Sequence, residues 1–565
     1  MRLSKLFFTT LRDDPADAEM PSHRLLVRAG YMRQLGSGIY SLLPLGFRVN
    51  KRVEQVVREE MDRIGSQEME MPVVHPADVW RASGRYDVVG PELARFKDRA
   101  GRDMVLAMTH EEVVGMLLAD IVKSYRQLPM MVYHFQTKWR DEPRARGGLI
   151  RVREFVMKDA YSVDRDEAGL DASYWAQHGA YVRIFERLGL SAIAVSSDVG
   201  MMGGSQAHEF MVLNPAGEDV LVLCEACGYA ANRQVAMIPR PFPPAEDPQP
   251  LEEVATPGTT TIATLAAFLG VGPERTAKAA FFKTGDGRLV TAIVRGDHEV
   301  NETKLFNAVK ATGGMRPASV EEIRAAGMEP GYGSPIGAHD TVVVVDDLVS
   351  GSANLVAGAN REGFHFRNVN HGRDFTADIV TDLTNAMEGD RCPTCGQPVI
   401  MRNGIEVGNI FKLGTKYTDA FGATYLGEDG VAHPIVMGSY GIGIGRNVAC
   451  IVEEHHDDKG IVWPAEVAPY AAHLVSIGAA REPQVTEVAE RLHAFALEAG
   501  REILWDDRDE SPGVKFTDAE LLGMPWILTV SPRSLAAGGI EVTERATGDR
   551  STRSIEEVET LLGGA

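Results

Sequence analysis

The chain reads as an α/β multidomain protein in which one core is interrupted by an insertion and followed by a C-terminal appendage. Three observations carry that reading. Residues 236 to 258 gather seven prolines (Pro239, Pro241, Pro243, Pro244, Pro248, Pro250 and Pro257), the composition of a stiff connector. A fresh strand-and-helix pattern follows and runs to about Asp390, after which the earlier style resumes. Beyond Pro464, strand and helix alternate over the last 100 or so residues, which predicts a small α/β domain with a mostly parallel sheet. A length of 565 residues allows about three or four domains.

Taken in order, residues 45 to 64 place Val49, Val53, Val56, Val57, Met61 and Ile64 at helical spacing, and a strand ending at Pro72 follows. Helices are predicted over 111–126 and 170–188. Between them, the strand-like flanks 131–136 and 149–153 enclose Pro143 and Gly147-Gly148, the pattern of a hairpin with a long tip. In the insertion, strands are predicted at 279–283, 289–294 and 341–345. Thr424-Tyr-Leu426 and Pro434-Ile-Val-Met-Gly438 read as strands of the resumed core. The last unit offers strands at 472–477, 502–505 and 526–530, with helices at 483–499 and 515–522.

Composition excludes several classes. Apolar and charged fractions of 44% and 24% are those of an ordinary soluble globular protein. No apolar run approaches the roughly 18 residues a membrane span needs, and the start is too soon interrupted for a signal peptide. Five cysteines in so long a chain do not make a disulfide framework, which points to a reducing cytoplasm. The formal charge of −21 argues against a general nucleic-acid coat, DNA included, but not against RNA bound through a few positive loops.

One such loop is evident. From Lys138 to Lys158 there are seven basic residues against three acidic ones. A cationic loop on an anionic protein is a local device for an anion, and arginine's planar fork matches phosphate or carboxylate bidentately. The plain alternative is a solvated charged hairpin. A second element, Gly438-Ser-Tyr-Gly-Ile-Gly-Ile-Gly-Arg446, leads into a helix. Glycines there allow close backbone approach, and an arginine at a helix head can reach a phosphate.

These two elements, with the helix and strand ending at Pro72, reproduce in order the three motifs of class II aminoacyl-tRNA synthetases. Within that class the chain resembles the bacterial-type prolyl-tRNA synthetase family over essentially its whole length. The match runs through Gly36-Ser-Gly-Ile-Tyr-Ser-Leu-Leu-Pro-Leu-Gly46, Thr109-His-Glu-Glu112, Arg140-Asp-Glu142, Arg151-Val-Arg-Glu-Phe-Val-Met-Lys-Asp-Ala-Tyr-Ser162 and Phe411-Lys-Leu-Gly-Thr-Lys-Tyr417. The resemblance implies an antiparallel sheet core flanked by helices, an inserted α/β editing domain and a C-terminal α/β anticodon-binding domain. The corresponding ranges are 1–223 and 408–465 for the core, 224–407 for the insertion, and 466–565 for the anticodon-binding domain. It also implies a homodimer, ATP with Mg2+, proline and tRNA(Pro).

By the same resemblance, Arg140 grips the α-phosphate and the proline carboxylate, Glu142 reads the adenine amino group, Phe155 stacks on adenine, and Arg446 holds the γ-phosphate. Arg151 and Gln206 join the ATP site. Thr109 and Glu111 take the secondary ammonium of proline, with His208 and Ser439 completing that pocket; Arg144 and Arg146 meet the tRNA acceptor end. Thr109 is also a candidate N-cap, with Glu112 closing a capping box, and His110 reads as a packing residue. Ala207 stands where many members carry serine. In the insertion, Lys278, Gly331, Pro335 and His365 match the editing site. The motive for editing is physical: a lost methylene is worth only about 1–3 kcal/mol, so a proline pocket cannot strongly exclude alanine.

Cys224-Glu-Ala-Cys227 and Cys392-Pro-Thr-Cys395 bracket the insertion and read as one tetrahedral structural zinc site, with paired free thiols as the alternative. Cys450 reads as inert core. From Glu466 onward there are nine basic and eighteen acidic residues, so any anticodon contact must be a local, base-reading surface. Two rival readings remain open at this point: a sibling synthetase of threonyl type, and a non-catalytic RNA-binding paralogue.

Overall fold

The computed structural model describes residues 1–16, 18–311 and 313–563. By internal contacts the chain divides into two units. One comprises Met1–Ile193, Val199–Ala216 and the chain from Ile405 onward; the other comprises Ala194–Asp198 and Gly217–Gly404.

The first unit is built on α1 (Pro44–Arg63), β1 (Gln67–Glu68), α2 (Glu111–Ile121), β2 (Met130–Trp139), β3 (Glu154–Asp164), α3 (Glu167–Arg187), β4 (Gln206–Leu213), β5 (Ile400–Gly414), β6 (Val436–Gly443) and α4 (Ile444–Glu454). Its strands run in the order β4-β5-β6-β3-β2-β1. The β5/β6, β6/β3 and β3/β2 pairs are antiparallel, and β1 joins β2 in parallel. Helix α1 begins with Pro44 in its first turn, where a missing N–H costs nothing, and buries Val49, Val53, Val56, Val57 and Met61 completely or nearly so.

Two predicted boundaries shift. Helix α2 stops at Ile121, and residues 125–127 form a separate 3-10 turn. The return strand of the arginine hairpin starts at Glu154 rather than Leu149. Arg146 and Arg151 bridge across a tight turn in which Gly147 and Gly148 both take positive φ. A Cβ on Gly148 would press on the His23 ring at 3.0–3.1 Å, so glycine is required twice over. Residues 149–153 therefore belong to the loop.

The C-terminal part carries a five-stranded sheet in the order 504–506, 472–476, 526–530, 540–544, 550–553. The first three strands are parallel, as predicted; the last two form an antiparallel addition that the sequence reading did not include.

The second unit has a five-stranded sheet (Met315–Pro317, Ala277–Thr284, Leu289–Arg295, Thr341–Asp346, Ile379–Thr381) and a three-stranded one (Glu252–Ala255, Phe364–Val369, Leu355–Gly358). The proline-rich stretch is not a free spacer. Arg240 donates to Thr384 and to Asn385 O (2.8 Å) and pairs with Asp382 and Asp390, while Asn354 Oδ1 accepts from Gln249 N at 2.8 Å. No described helix is long and apolar enough to cross a membrane.

Candidate active site

The β2/β3 register pairs Lys138 with Phe155, so these two side chains leave the sheet on one face. Alternation adds Arg140, Asp159 and Tyr161 to that face. Arg140 Cζ stands 5.3 Å from the Phe155 ring centroid, and its Nη2 donates to Met108 O at 3.3 Å. Burial lowers the Arg140 pKa, with Glu406 and Glu111 pulling it up and Arg446 and Arg85 pulling it down. A guanidinium stays charged through such a shift.

The predicted loop residues are held together. Arg151 Nη2 donates to Glu142 Oε1 at 2.7 Å, and Arg153 Nε donates to Glu142 O at 3.0 Å. Arg153 also donates its backbone N–H to Gly38 O (2.8 Å), and Arg140 N donates to Arg153 O (2.9 Å). Arg144 and Arg146 sit exposed at the tip. Arg446 opens α4, donating through Nε to Ile150 O at 2.8 Å and pairing with Glu406 Oε2 at 3.0 Å. Glu406 Oε1 in turn accepts from Asn409 Nδ2 at 2.8 Å. A carboxylate and an amide oxygen donor beside two guanidiniums suit Mg2+ carried in with a polyphosphate.

Thr109 and Glu111 lie beside this site and are buried. The Thr109 hydroxyl donates to Glu111 Oε2, and Ser439 Oγ donates to Glu111 Oε1 at 2.8 Å. The capping-box expectation fails here. The N-cap of α2 is His110, without a side-chain cap, because Thr109 is engaged with Glu111. Glu112 instead accepts from Arg85 Nη1 (2.9 Å) and Ser83 Oγ (3.0 Å).

Two assigned residues leave the other face of the sheet: His208, given to the proline pocket, and Gln206, given to the ATP site. His208 Nδ1 lies 2.6 Å from Tyr174 OH on α3, and its ring packs among Trp175 and His178. Tyr174 contacts Tyr440, the neighbour of Ser439 and hence on the opposite sheet face. Gln206 shares that face with His208 by alternation. Ala207 takes the pocket side, buried with Tyr161, Phe411 and Met437. Period-2 alternation in β4 thus turns His208 away from Glu111.

In the second unit the editing candidates converge. Thr276 bridges Val356 in parallel, which brings Lys278 level with Gly358 two residues on, and Gly358 pairs with His365. The Lys278 ammonium pairs with Glu299. His365 is buried, its Nδ1 2.6 Å from Thr256 Oγ1 and its ring 5.4 Å from the Tyr332 ring; burial holds its pKa down at about 4. The loop from Gly331 to Pro335 is fixed by Asn360, whose Oδ1 accepts from Ser334 N (2.8 Å) while Nδ2 donates to Ser334 O (3.1 Å) and Ile336 O (2.7 Å).

The four cysteines meet in two matching knuckles. Gly228 N donates to Cys224 O and Gly396 N to Cys392 O, both at 2.9 Å. Sγ separations are 3.5 Å for Cys224/Cys395 and 3.6 Å for Cys227/Cys392, and all four sulfurs lie within 4.8 Å of one another. A tetrahedron with metal–sulfur bonds of about 2.3 Å has edges of about 3.8 Å. The donor set fits zinc, and the spacing is far too long for disulfides.

Arg85, Ser83, Glu406 and Asn360 were not singled out from sequence. None of the four belongs to a motif marked above.

Comparison with known proteins identifies the family and the fold. The family model "tRNA synthetase class II core domain (G, H, P, S and T)" matches residues 95–455, and "Anticodon binding domain" matches 469–563. The proline–tRNA ligase of Salinispora tropica is 52% identical over 99% of this chain and 95% of its own length. That of Thermoanaerobacter pseudethanolicus is 48% identical over 99% and 98%. Among solved structures, the prolyl-tRNA synthetase of Cryptosporidium parvum with L-proline and AMP superposes with a TM-score of 0.58 at 13% identity, covering 98% of this chain and 76% of that one. The Giardia lamblia prolyl-tRNA synthetase with prolyl-adenylate gives 0.57 at 15%, covering 95% and 75%. With its fold matched by those structures and its sequence by those ligases over nearly the full length, the chain belongs to the proline–tRNA ligase family of class II aminoacyl-tRNA synthetases.

Proposed function

We infer that the chain activates proline with ATP and transfers it to the 3′ end of tRNA(Pro), and that it hydrolyses alanyl-tRNA(Pro) in its inserted unit. The observation that carries the synthetic reading is one sheet face that presents Arg140 and Phe155 beside the buried Thr109/Glu111/Ser439 triad. A carboxylate with two hydroxyls suits a secondary ammonium with two N–H donors. The guanidinium next to it suits the proline carboxylate and the α-phosphate at once.

In the activation step a carboxylate oxygen of proline attacks the α-phosphorus, and the bond to the bridging oxygen breaks to release pyrophosphate. The anions that meet there are stabilised by fixed guanidiniums, which need no reorganisation as charge develops. Arg140 serves the α-phosphate and Arg446 the γ-phosphate; Glu142 and Arg151 border the adenine, which stacks on Phe155. Mg2+ held near Glu406 would neutralise phosphate charge. Arg144 and Arg146, exposed at the loop tip, would meet the acceptor end of tRNA. A hydroxyl of the terminal ribose then attacks the adenylate carbonyl and AMP leaves.

Residues 1–223 and 408–465 form the catalytic core in this reading, 224–407 the editing domain, and 466–565 the anticodon-binding domain. Lys278 would hold the anionic tRNA end, with Gly331, Pro335 and His365 shaping a pocket for the alanyl ester. Cys224, Cys227, Cys392 and Cys395 would bind one structural zinc. A cytoplasmic homodimer completes the assignment. The test is amino-acid-dependent ATP–pyrophosphate exchange across the twenty amino acids. Exchange strongest with proline is expected; exchange strongest with threonine, or none, would overturn the reading.

A further inference from the structure

Beneath the Thr109–Glu111 segment lies a polar cluster shut off from solvent: His75, His110, His134, Lys138, Asp159 and Tyr161 are each at most 2% exposed. Lys138 Nζ is 2.5 Å from His110 Nδ1, 3.2 Å from His134 Nε2 and 3.0 Å from Asp159 Oδ2. The two histidines and Asp159 are spaced closely enough to surround a metal ion, and the lysine ammonium takes the central place. His134 Nε2 also lies 2.8 Å from Asp159 Oδ1. Burial alone would raise the Asp159 pKa; Lys138 and the neighbouring histidines pull it well below the usual carboxylate range, so it is ionised.

A buried ion pair of this kind is poor value as a stabiliser, since well-packed apolar side chains of similar volume do as well or better. Its connections suggest what it is for. His110 is the residue between Thr109 and Glu111. Its Nε2 lies 2.9 Å from Pro72 O, a carbonyl that can only accept. The ring proton therefore sits on Nε2, and Nδ1 is left to accept from Lys138. Pro72 O is shared with His75 Nε2 at 2.8 Å, and His75 Nδ1 accepts from Trp80 Nε1 at 3.1 Å. From the other side Tyr161 OH donates to Asp159 Oδ2 at 2.6 Å. The tripeptide of the amine pocket is thus gripped from below through the His110 ring that stands between Thr109 and Glu111.

We propose that Lys138, with Asp159 as its counter-charge, is a positioning residue for amino-acid recognition: it fixes the His110 ring and so sets the angle at which Thr109 and Glu111 meet the ammonium of proline. The proposal rests on the reading of Thr109 and Glu111 as the amine site. ATP binding, carried by Arg140, Phe155 and Arg446, does not depend on that angle.

Removing Lys138 alone would strand Asp159 as a buried charge, so the informative variant is the charge-balanced double change Lys138→Met/Asp159→Leu, with His110→Phe as a second route that keeps both charges. Circular dichroism establishes folding, and pyrophosphate exchange gives separate KM values for proline and ATP. The expected result in either folded variant is a KM for proline raised at least about tenfold with the KM for ATP within about twofold. A wild-type KM for proline, or equal rises in both constants, would overturn the proposal, the second outcome marking a purely structural role. Glu111→Gln is measured alongside. Should it leave the KM for proline unchanged, the amine-site reading itself is wrong; should it raise that KM while the double variant and His110→Phe do not, only the positioning role of Lys138 falls.

Discussion

Gly358→Ala is the sharpest test of the proposed editing site, because the structure fixes what the added methyl group would meet. A Cβ on Gly358 would stand 2.0 Å from Tyr332 O, 2.3 Å from Tyr332 C and 2.7 Å from Gly333 O, where real Cβ atoms keep at least 3.0 Å. All three obstacles are backbone, so no rotamer change relieves them. Either the Gly331–Pro335 loop or the strand must retreat by about 1 Å, and Asn360 ties that loop to the same strand end. Overpacking of this kind costs about 1–3 kcal/mol, which a domain with its own core can survive. A 1 Å misplacement of reacting groups costs catalysis on the order of a hundredfold. Deacylation of purified alanyl-tRNA(Pro) should therefore fall about a hundredfold, while ATP–proline exchange, in the other unit, stays at the wild-type rate. A folded Gly358→Ala protein that deacylates normally would refute the placement of the loop at the editing centre.

Arg140→Ala should cut prolyl-adenylate formation by a factor of about 10² or more in a folded protein, as loss of a preorganised charge donor does; near-normal exchange would contradict its role. Arg446→Ala should raise the KM for ATP more than that for proline, and equal effects would argue against a γ-phosphate contact. Purified protein should carry about one zinc per chain by elemental analysis, and Cys392→Ser should lose it and lower the melting temperature, since metal binding energy is folding energy; metal-free native protein with an unchanged melt would remove the site. The His365 pKa is held near 4 against about 6.5 in the unfolded chain. Because the folded state resists protonation, stability from this ring is complete above about pH 6.5 and is lost as pH falls towards 4. The melting-temperature gap between wild type and His365→Gln should narrow between pH 7 and pH 5; a gap independent of pH would show that the ring is not held neutral.

Much of this was legible because the chemistry is local in sequence. Arg140, Glu142, Arg151 and Phe155 lie within one hairpin, and each CxxC pair sits within one turn. The antiparallel addition at 540–553 was missed because its apolar alternation is short. What could not be read depends on contacts between distant segments. Arg85 reaches Glu112 across 27 positions and Arg446 reaches Glu406 across 40, and neither Arg85 nor Glu406 lies in a marked motif. The capping box at Thr109 had the right residue types, yet the hydroxyl found a closer acceptor in Glu111. His208 failed for a different reason. Its place in a family-like stretch says nothing of which sheet face it leaves, and a single step in a period-2 strand decides that.

The charges of the catalytic face explain how a chain of net charge −21 can handle polyanions. Around Arg140 the signs alternate: Glu406 and Glu111 oppose Arg446 and Arg85. Arg446 and Arg85 are each held by a carboxylate and Arg140 by Met108 O, rather than left to swing in solvent, so they need little reordering when a phosphate arrives. The arrangement is also incomplete by itself. Arg140 Nε and Glu112 Oε2 are buried with no hydrogen-bond partner. Buried polar atoms of that kind are costly, and others lie elsewhere in the chain, both ring nitrogens of His473 among them. Glu112 belongs to the Arg85 pair, whereas Arg140 stands beside Phe155, where an arriving phosphate or carboxylate oxygen would give its Nε the acceptor it lacks. The cost of the orphaned donor is offset only on binding, and that difference is free energy the site can apply to the reacting atoms.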